Sequence, residues 1–127
     1  MAVATPQNER PTDETTVDDE PEIQTVLDAL QDDDCRAVLA AASEEALSAR
    51  ELSSACDLPL STTYRKLDAL TEAGLLAERT RLCPDGKHAS EYLRAVDDVV
   101  VSTGTDGGFE LTVSKRAVGD GVRGRGD

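Results

Sequence analysis

The stretch SARELSSACDLPLSTTYRKLDALTEAGLL, residues 48–76, decides the fold. Ser48-Ala49-Arg50-Glu51 has the spacing of a capping box, in which the serine hydroxyl and the glutamate carboxylate satisfy free amides at a helix start. Leu52, Ala55 and Cys56 then form the apolar side of a short helix. Asp57-Leu58-Pro59 reads as a tight connection, and Pro59 suits the start of a second helix. In that helix Leu60, Thr63, Leu67 and Leu70 recur at helical spacing, the run continues to about Ala73, and Gly74 is the natural C-terminal stop.

Outward from this unit the pattern changes period. Leu75 to Cys83 reads as a strand, Pro84-Asp85-Gly86-Lys87 as a turn, and Ala89 to Val96 as the antiparallel return. Upstream, Ile23, Val26, Leu27 and Leu30 mark one amphipathic helix. Asp32 or Asp33 can cap the next, whose stripe is Cys35, Val38, Leu39 and Ala42. Downstream, Val99 to Val101, a turn over 104–108, and alternating Phe109, Leu111 and Val113 predict a second hairpin, which extends the sheet or pairs with another chain. Residues 1–22 are rich in Thr, Asp, Glu and Pro and are expected to be disordered. Residues 114–127 are Gly- and Arg-rich and predict a flexible tail. The expected fold is α+β: a winged helix-turn-helix domain over 23–113 with an additional C-terminal β-hairpin.

Helix, turn, helix and wing make a shape that fits the major groove of duplex DNA. With Leu60, Thr63, Leu67 and Leu70 inward, helical geometry turns Ser61, Thr62, Arg65 and Lys66 outward, with Tyr64 and Asp68 at the flanks. Arg65 can read guanine or hold a phosphate. The bland alternative is a solvated helix face. In the hairpin, Arg79 and Arg81 share one face, Lys87 and His88 sit at the tip, and Arg94 lies on the return. Glu78, Asp85 and Glu91 dilute that charge, so few phosphate contacts are expected from it.

The formal net charge of −13 runs against this reading, since phosphate repels acid. The distribution softens the conflict. Residues 1–34 carry eleven acids against Arg10, whereas residues 61–94 carry six basic groups against five acids. Three lysines stand against ten arginines. An acidic, lysine-poor surface suits a cytoplasm of molar salt, where the Debye length falls to roughly 3 Å.

Cys35, Cys56 and Cys83 are widely spaced, with no CxxC, so neither zinc site nor disulfide framework is indicated. Cys56 falls in an apolar stripe. Cys35 also holds a stripe position, but in a first helical turn, where the dipole and adjacent Arg36 lower a thiol pKa while Asp32, Asp33 and Asp34 raise it. His88, the single histidine, makes no metal set, and no catalytic constellation, cofactor motif or small-molecule site is visible. No signal sequence or long apolar run occurs, so a soluble cytoplasmic protein without membrane association is expected.

CDLPLSTTYRKLDALTEAGLL followed by PDGKH resembles the winged-helix regulators of the ArsR type, especially the small haloarchaeal ones, over roughly residues 32–113. The resemblance implies DNA contact at Ser61, Thr62, Tyr64, Arg65 and Lys66, and at wing positions such as Lys87 and His88. It implies a homodimer paired through terminal helices, here Ile23, Val26, Leu27 and Leu30. The Cys-Val-Cys motif of metal-sensing members is missing from residues 45–52. Cys35 resembles the position of an oxidant-responsive cysteine in some relatives, which makes it a redox candidate. The expected function is therefore a non-enzymatic, sequence-specific DNA-binding regulator. The alternative is a winged-helix module for protein contact within the transcription machinery, which the acidic first 34 residues favour slightly.

Overall fold

The computed structural model describes residues 13–116. The elements in order are β1 (Asp13–Val17), α1 (Glu20–Gln31), α2 (Asp33–Ala41), β2 (Leu47–Ser48), α3 (Ala49–Cys56), α4 (Leu60–Glu72), β3 (Leu76–Leu82), β4 (His88–Arg94), β5 (Val96–Thr103) and β6 (Phe109–Lys115). Two antiparallel three-stranded sheets form, in the orders β2-β4-β3 and β1-β6-β5. The protein is a winged helix-turn-helix with an added C-terminal hairpin.

Local chemistry sets the helix ends as expected. The Asp32 carboxylate accepts from the Cys35 amide at 2.9 Å and caps α2. At α3 the capping box is complete: the Glu51 amide donates to Ser48 Oγ at 3.2 Å, and the Ser48 amide donates to Glu51 Oε1 at 2.8 Å. Asp57 adopts a left-handed conformation, φ 56°, and turns the chain from α3 towards α4. Pro59 stands at the N-cap of α4 with no side-chain cap of its own, and its carbonyl accepts from both the amide and the hydroxyl of Thr63. At the other end Gly74, φ 79°, closes a Schellman motif: the Leu75 amide donates to the Leu70 carbonyl and the Gly74 amide to that of Thr71.

The core is aliphatic. Ile23, Val38, Leu52, Leu67, Leu70, Leu75 and Leu111 are its largest fully buried members, drawn from all four helices, the α4–β3 connection and β6. Thr63 is buried among them with its hydroxyl bonded to Pro59, so no polar atom is stranded.

Three expectations change. The segment expected to be disordered over 1–22 contains β1, which pairs along β6 from Asp13↔Lys115 to Val17↔Leu111. Its Thr-Thr-Val composition suits a pleated edge, and β6 supplies the partner that sequence cannot reveal. Residues 1–12 lie outside the described residues, as do 117–127 of the expected tail. The start of that tail is ordered: Lys115 ends β6, and Arg116 bonds Asp97 at 2.8 Å and the Ser43 carbonyl at 2.7 Å. Third, Ile23 and Val26, expected at a dimer contact, are buried in the chain's own core, and Leu27 and Leu30 pack against it. The apolar stripe of α1 is taken up by α2 and α4, with β6 of the added sheet packing on the same helix.

Candidate nucleic-acid interface

The outward side of α4 is built as the helical period requires. Ser61, Tyr64, Arg65 and Asp68 are exposed, and Thr62 is half-buried. Tyr64 keeps 48% of its surface. An Arg65 guanidinium nitrogen lies 3.3 Å from Thr62 Oγ1, so the arginine lies along the helix towards its first turn. Among the described residues no acidic group forms an ion pair with it, so none of them takes up its charge.

Lys66 does not share this arrangement. Its ammonium lies 3.1 Å from Asp32 at the start of α2, and only 20% of its side chain is exposed. One residue beyond Arg65, the helix has already rotated towards the α2 junction. Lys66 joins two helices of the domain and is withdrawn from the outer face.

The wing arginines are also engaged. Arg79 and Arg81 both bond Glu91, at 2.6 and 2.8 Å, and Arg81 reaches Glu51 at 3.1 Å. Glu91 lies between them because Arg79 and Glu91 are cross-strand partners in the β3–β4 register. Glu51 thus closes the α3 cap and anchors the wing to it. Arg94 bonds the Val96 and Asp97 carbonyls and Ser43, and so braces the junction of β4 and β5. Lys87 and His88 remain exposed at the hairpin, where the Lys87 amide donates to Asp85 Oδ1 at 3.0 Å.

The structure adds residues that periodicity does not single out. A cleft between the start of α3, α4 and β4 is lined by Ser48, Arg50, Tyr64, Arg81, Ser90 and Tyr92 among others. Arg81 is held there by Glu51 and Glu91, so Arg50 and the hydroxyls of Ser48, Tyr64, Ser90 and Tyr92 supply the groups that can hold a phosphate. It forms because β2, two residues long, pairs with β4 through Leu47↔Tyr92 and Ser48↔Glu91. A strand so short leaves little signal, although Arg50 beside the capping box is visible in sequence.

The carboxyls of the bracing contacts titrate low. The Ser48 amide and then Arg81 lower Glu51. Burial pushes Glu91 up, but the two arginines together outweigh it and the net shift is downward. The Cys35 amide leads in lowering Asp32, with Lys66 adding to it. A depressed folded-state pKa contributes stability that is full above the ordinary carboxylate range and is lost as pH falls through the folded values. Thermal melts across the acid range are expected to show Tm falling from about pH 5 downward. In Glu91→Gln that fall should be shallower, and an unchanged profile removes Glu91 as a contributor.

Cys35 departs from the redox expectation. It is 2% exposed, and its thiol is pushed up to about 11, first by burial and then by hydrogen bonding to Asp32. Arg36 turns away to Asp33 and the Leu30 carbonyl. The thiol is therefore protonated and shielded at neutral pH, the reverse of an activated one. Cys56, expected in the core, is half-buried, and burial raises its thiol too. Alkylation read by mass spectrometry should reach Cys35 only after unfolding; rapid labelling in the native protein would refute this.

Among the described residues no cluster of His, Cys, Asp and Glu is arranged to hold a metal. No helix among them is long and apolar enough to cross a membrane. No curated protein matches the chain. A family model described as a helix-turn-helix domain matches residues 26–79, from within α1 into β3, and so takes in α3, α4 and the first half of the wing. Fold and match together support a DNA-binding transcription regulator.

Proposed function

We propose that the chain binds specific duplex sequences as a homodimeric transcription regulator, with α4 in the major groove and the β3–β4 wing alongside. The observation that carries this reading is the outer face of α4. It combines two small hydroxyl residues, an exposed tyrosine and an arginine without an ion-pair partner among the described residues, beside a cleft suited to phosphate. Ser61 and Thr62 allow close approach to the backbone, Arg65 supplies a bidentate donor, and Tyr64 and Arg50 face the flanking phosphate. Lys87 and His88 extend the contact at the wing. Lys66, Arg79 and Arg81 serve to hold the reading elements in place.

Selection from a random duplex pool tests the reading. An enriched inverted repeat is expected, with half-sites about one helical turn apart. A folded protein that enriches no duplex overturns it and favours a protein-contact module. Because Arg50, Arg65 and Lys87 are, among the described residues, the cations left for phosphate in this interface, counterion release from it should be small. A slope of log affinity against log salt of roughly −2 to −3 per protomer is expected, and a much steeper one would contradict the assignment of Arg79 and Arg81 to internal ion pairs.

A further inference from the structure

The β1-β6-β5 sheet has its helix-facing side covered near α1, but β5 stands at its outer edge. Among the described residues no strand pairs with that edge. The Gly104 amide bonds the Gly108 carbonyl, which makes 104–108 a hydrogen-bonded pair. Antiparallel alternation along the β5–β6 register then makes Val100↔Thr112 and Ser102↔Glu110 bonded pairs as well. The amides and carbonyls of Val99, Val101 and Thr103 consequently point away from β6, into solvent.

This edge lacks the usual protection. Along its valine run it has no proline, no lysine and, among the described residues, no covering loop; its register irregularity between Val96 and Asp98 and its carboxylates, Asp97 and Asp98, sit at one end. Val100 and Val101 keep 54% and 46% of their surface, and Phe109, beside Thr103 on the neighbouring strand, keeps 42%. A strand edge with an apolar centre and acid at one end is complementary to itself when reversed.

We propose that the β5 edge pairs antiparallel with the β5 edge of a second copy about a twofold axis at Val100, joining two three-stranded sheets into one of six strands. In this register Val99 faces Val101 of the other copy, and their outward amides and carbonyls exchange bonds. Val100 meets its own counterpart, Asp98 faces Ser102, and Asp97 faces Thr103. No carboxylate opposes a carboxylate, which matters for two copies of a chain with net charge −13. The pairing rests on the homodimer proposed above and assigns its surface. It also accounts for the use of the α1 stripe within one chain, since the contact lies on the other side of the added sheet.

The test uses Val100→Lys and Val100→Glu in the full chain, with mass measured by light scattering in moderate salt and folding checked by circular dichroism. Val100 is half-exposed, so both variants should fold. Each alone places like charges across the axis and should weaken dimerisation roughly tenfold or more, while an equimolar mixture should recover the dimer. Amide exchange should show Val99 and Val101 protected in the wild type and released in either variant. Variants that remain dimeric overturn this surface while leaving a homodimer in place. Variants that stay monomeric when mixed overturn the axis at Val100. A wild type that is monomeric at all concentrations overturns the surface and the homodimer together, and leaves duplex selection as a separate measurement.

Discussion

Arg65→Ala is expected to weaken binding to the selected duplex by about 1–3 kcal/mol, roughly tenfold to a hundredfold, with little change in stability. The guanidinium lies on the exposed face of α4, and its one internal bond is to the neighbouring Thr62 hydroxyl. Its removal leaves no buried group unpaired, so the cost falls on the complex. Lys66→Ala is the matching control. Its ammonium is held by Asp32, so its loss should reduce affinity far less and instead weaken the α2–α4 junction. Fluorescence anisotropy with specific and scrambled duplexes measures both variants. If Arg65 reads a base, the loss is confined to the specific duplex; if it holds a phosphate, both duplexes lose equally. Equal effects of the two substitutions would contradict the division of roles between adjacent residues.

Leu70→Ala is expected to destabilise the domain by about 2–5 kcal/mol in urea unfolding, against about 0.5 kcal/mol or less for Leu82→Ala. Leu70 is fully buried where α4 meets the other helices, whereas Leu82 leaves 69% of its surface in water at the end of β3. A small aliphatic core with few aromatic side chains has little reserve, so a single cavity consumes a large share of total stability. DNA binding by Leu70→Ala should fall only through the folded fraction, and recover on cooling or with a stabilising osmolyte. A Leu70→Ala protein that unfolds like the wild type would place this part of α4 outside the core. Comparison with Arg65→Ala separates loss of the reading face from loss of the domain that carries it.

How much of this was readable in advance depends on the range of the interactions. The α3 capping box, the cap of α2, the Schellman stop of α4 at Gly74 and the two hairpin turns are closed by residues within about one turn of each other. Their outcome follows from spacing alone. The outward placement of Ser61, Tyr64 and Arg65 follows in the same way from the burial of Thr63, Leu67 and Leu70. The errors lie where one residue's fate depends on a distant one. Arg79 and Arg81 read as a basic face until Glu91 is placed across the strand and Glu51 beside it, 30 residues away from Arg81. Cys35 reads as a redox candidate with its thiol drawn both ways by local charges until the surrounding core is in position and burial raises its pKa.

The sequence by itself determined the helix-turn-helix, the wing and which side of α4 faces outward, because amphipathic period and capping chemistry are local and have few alternatives. Tertiary structure alone decided which charges remain available, that β1 crosses to β6, and that the stripe of α1 lies inside the chain. Each of these depends on pairing between segments far apart in sequence. For β strands, pairing choice is set by which hydrogen-bonding edge and apolar surface remain unfilled after the local elements have packed, and no short stretch of residues carries that information.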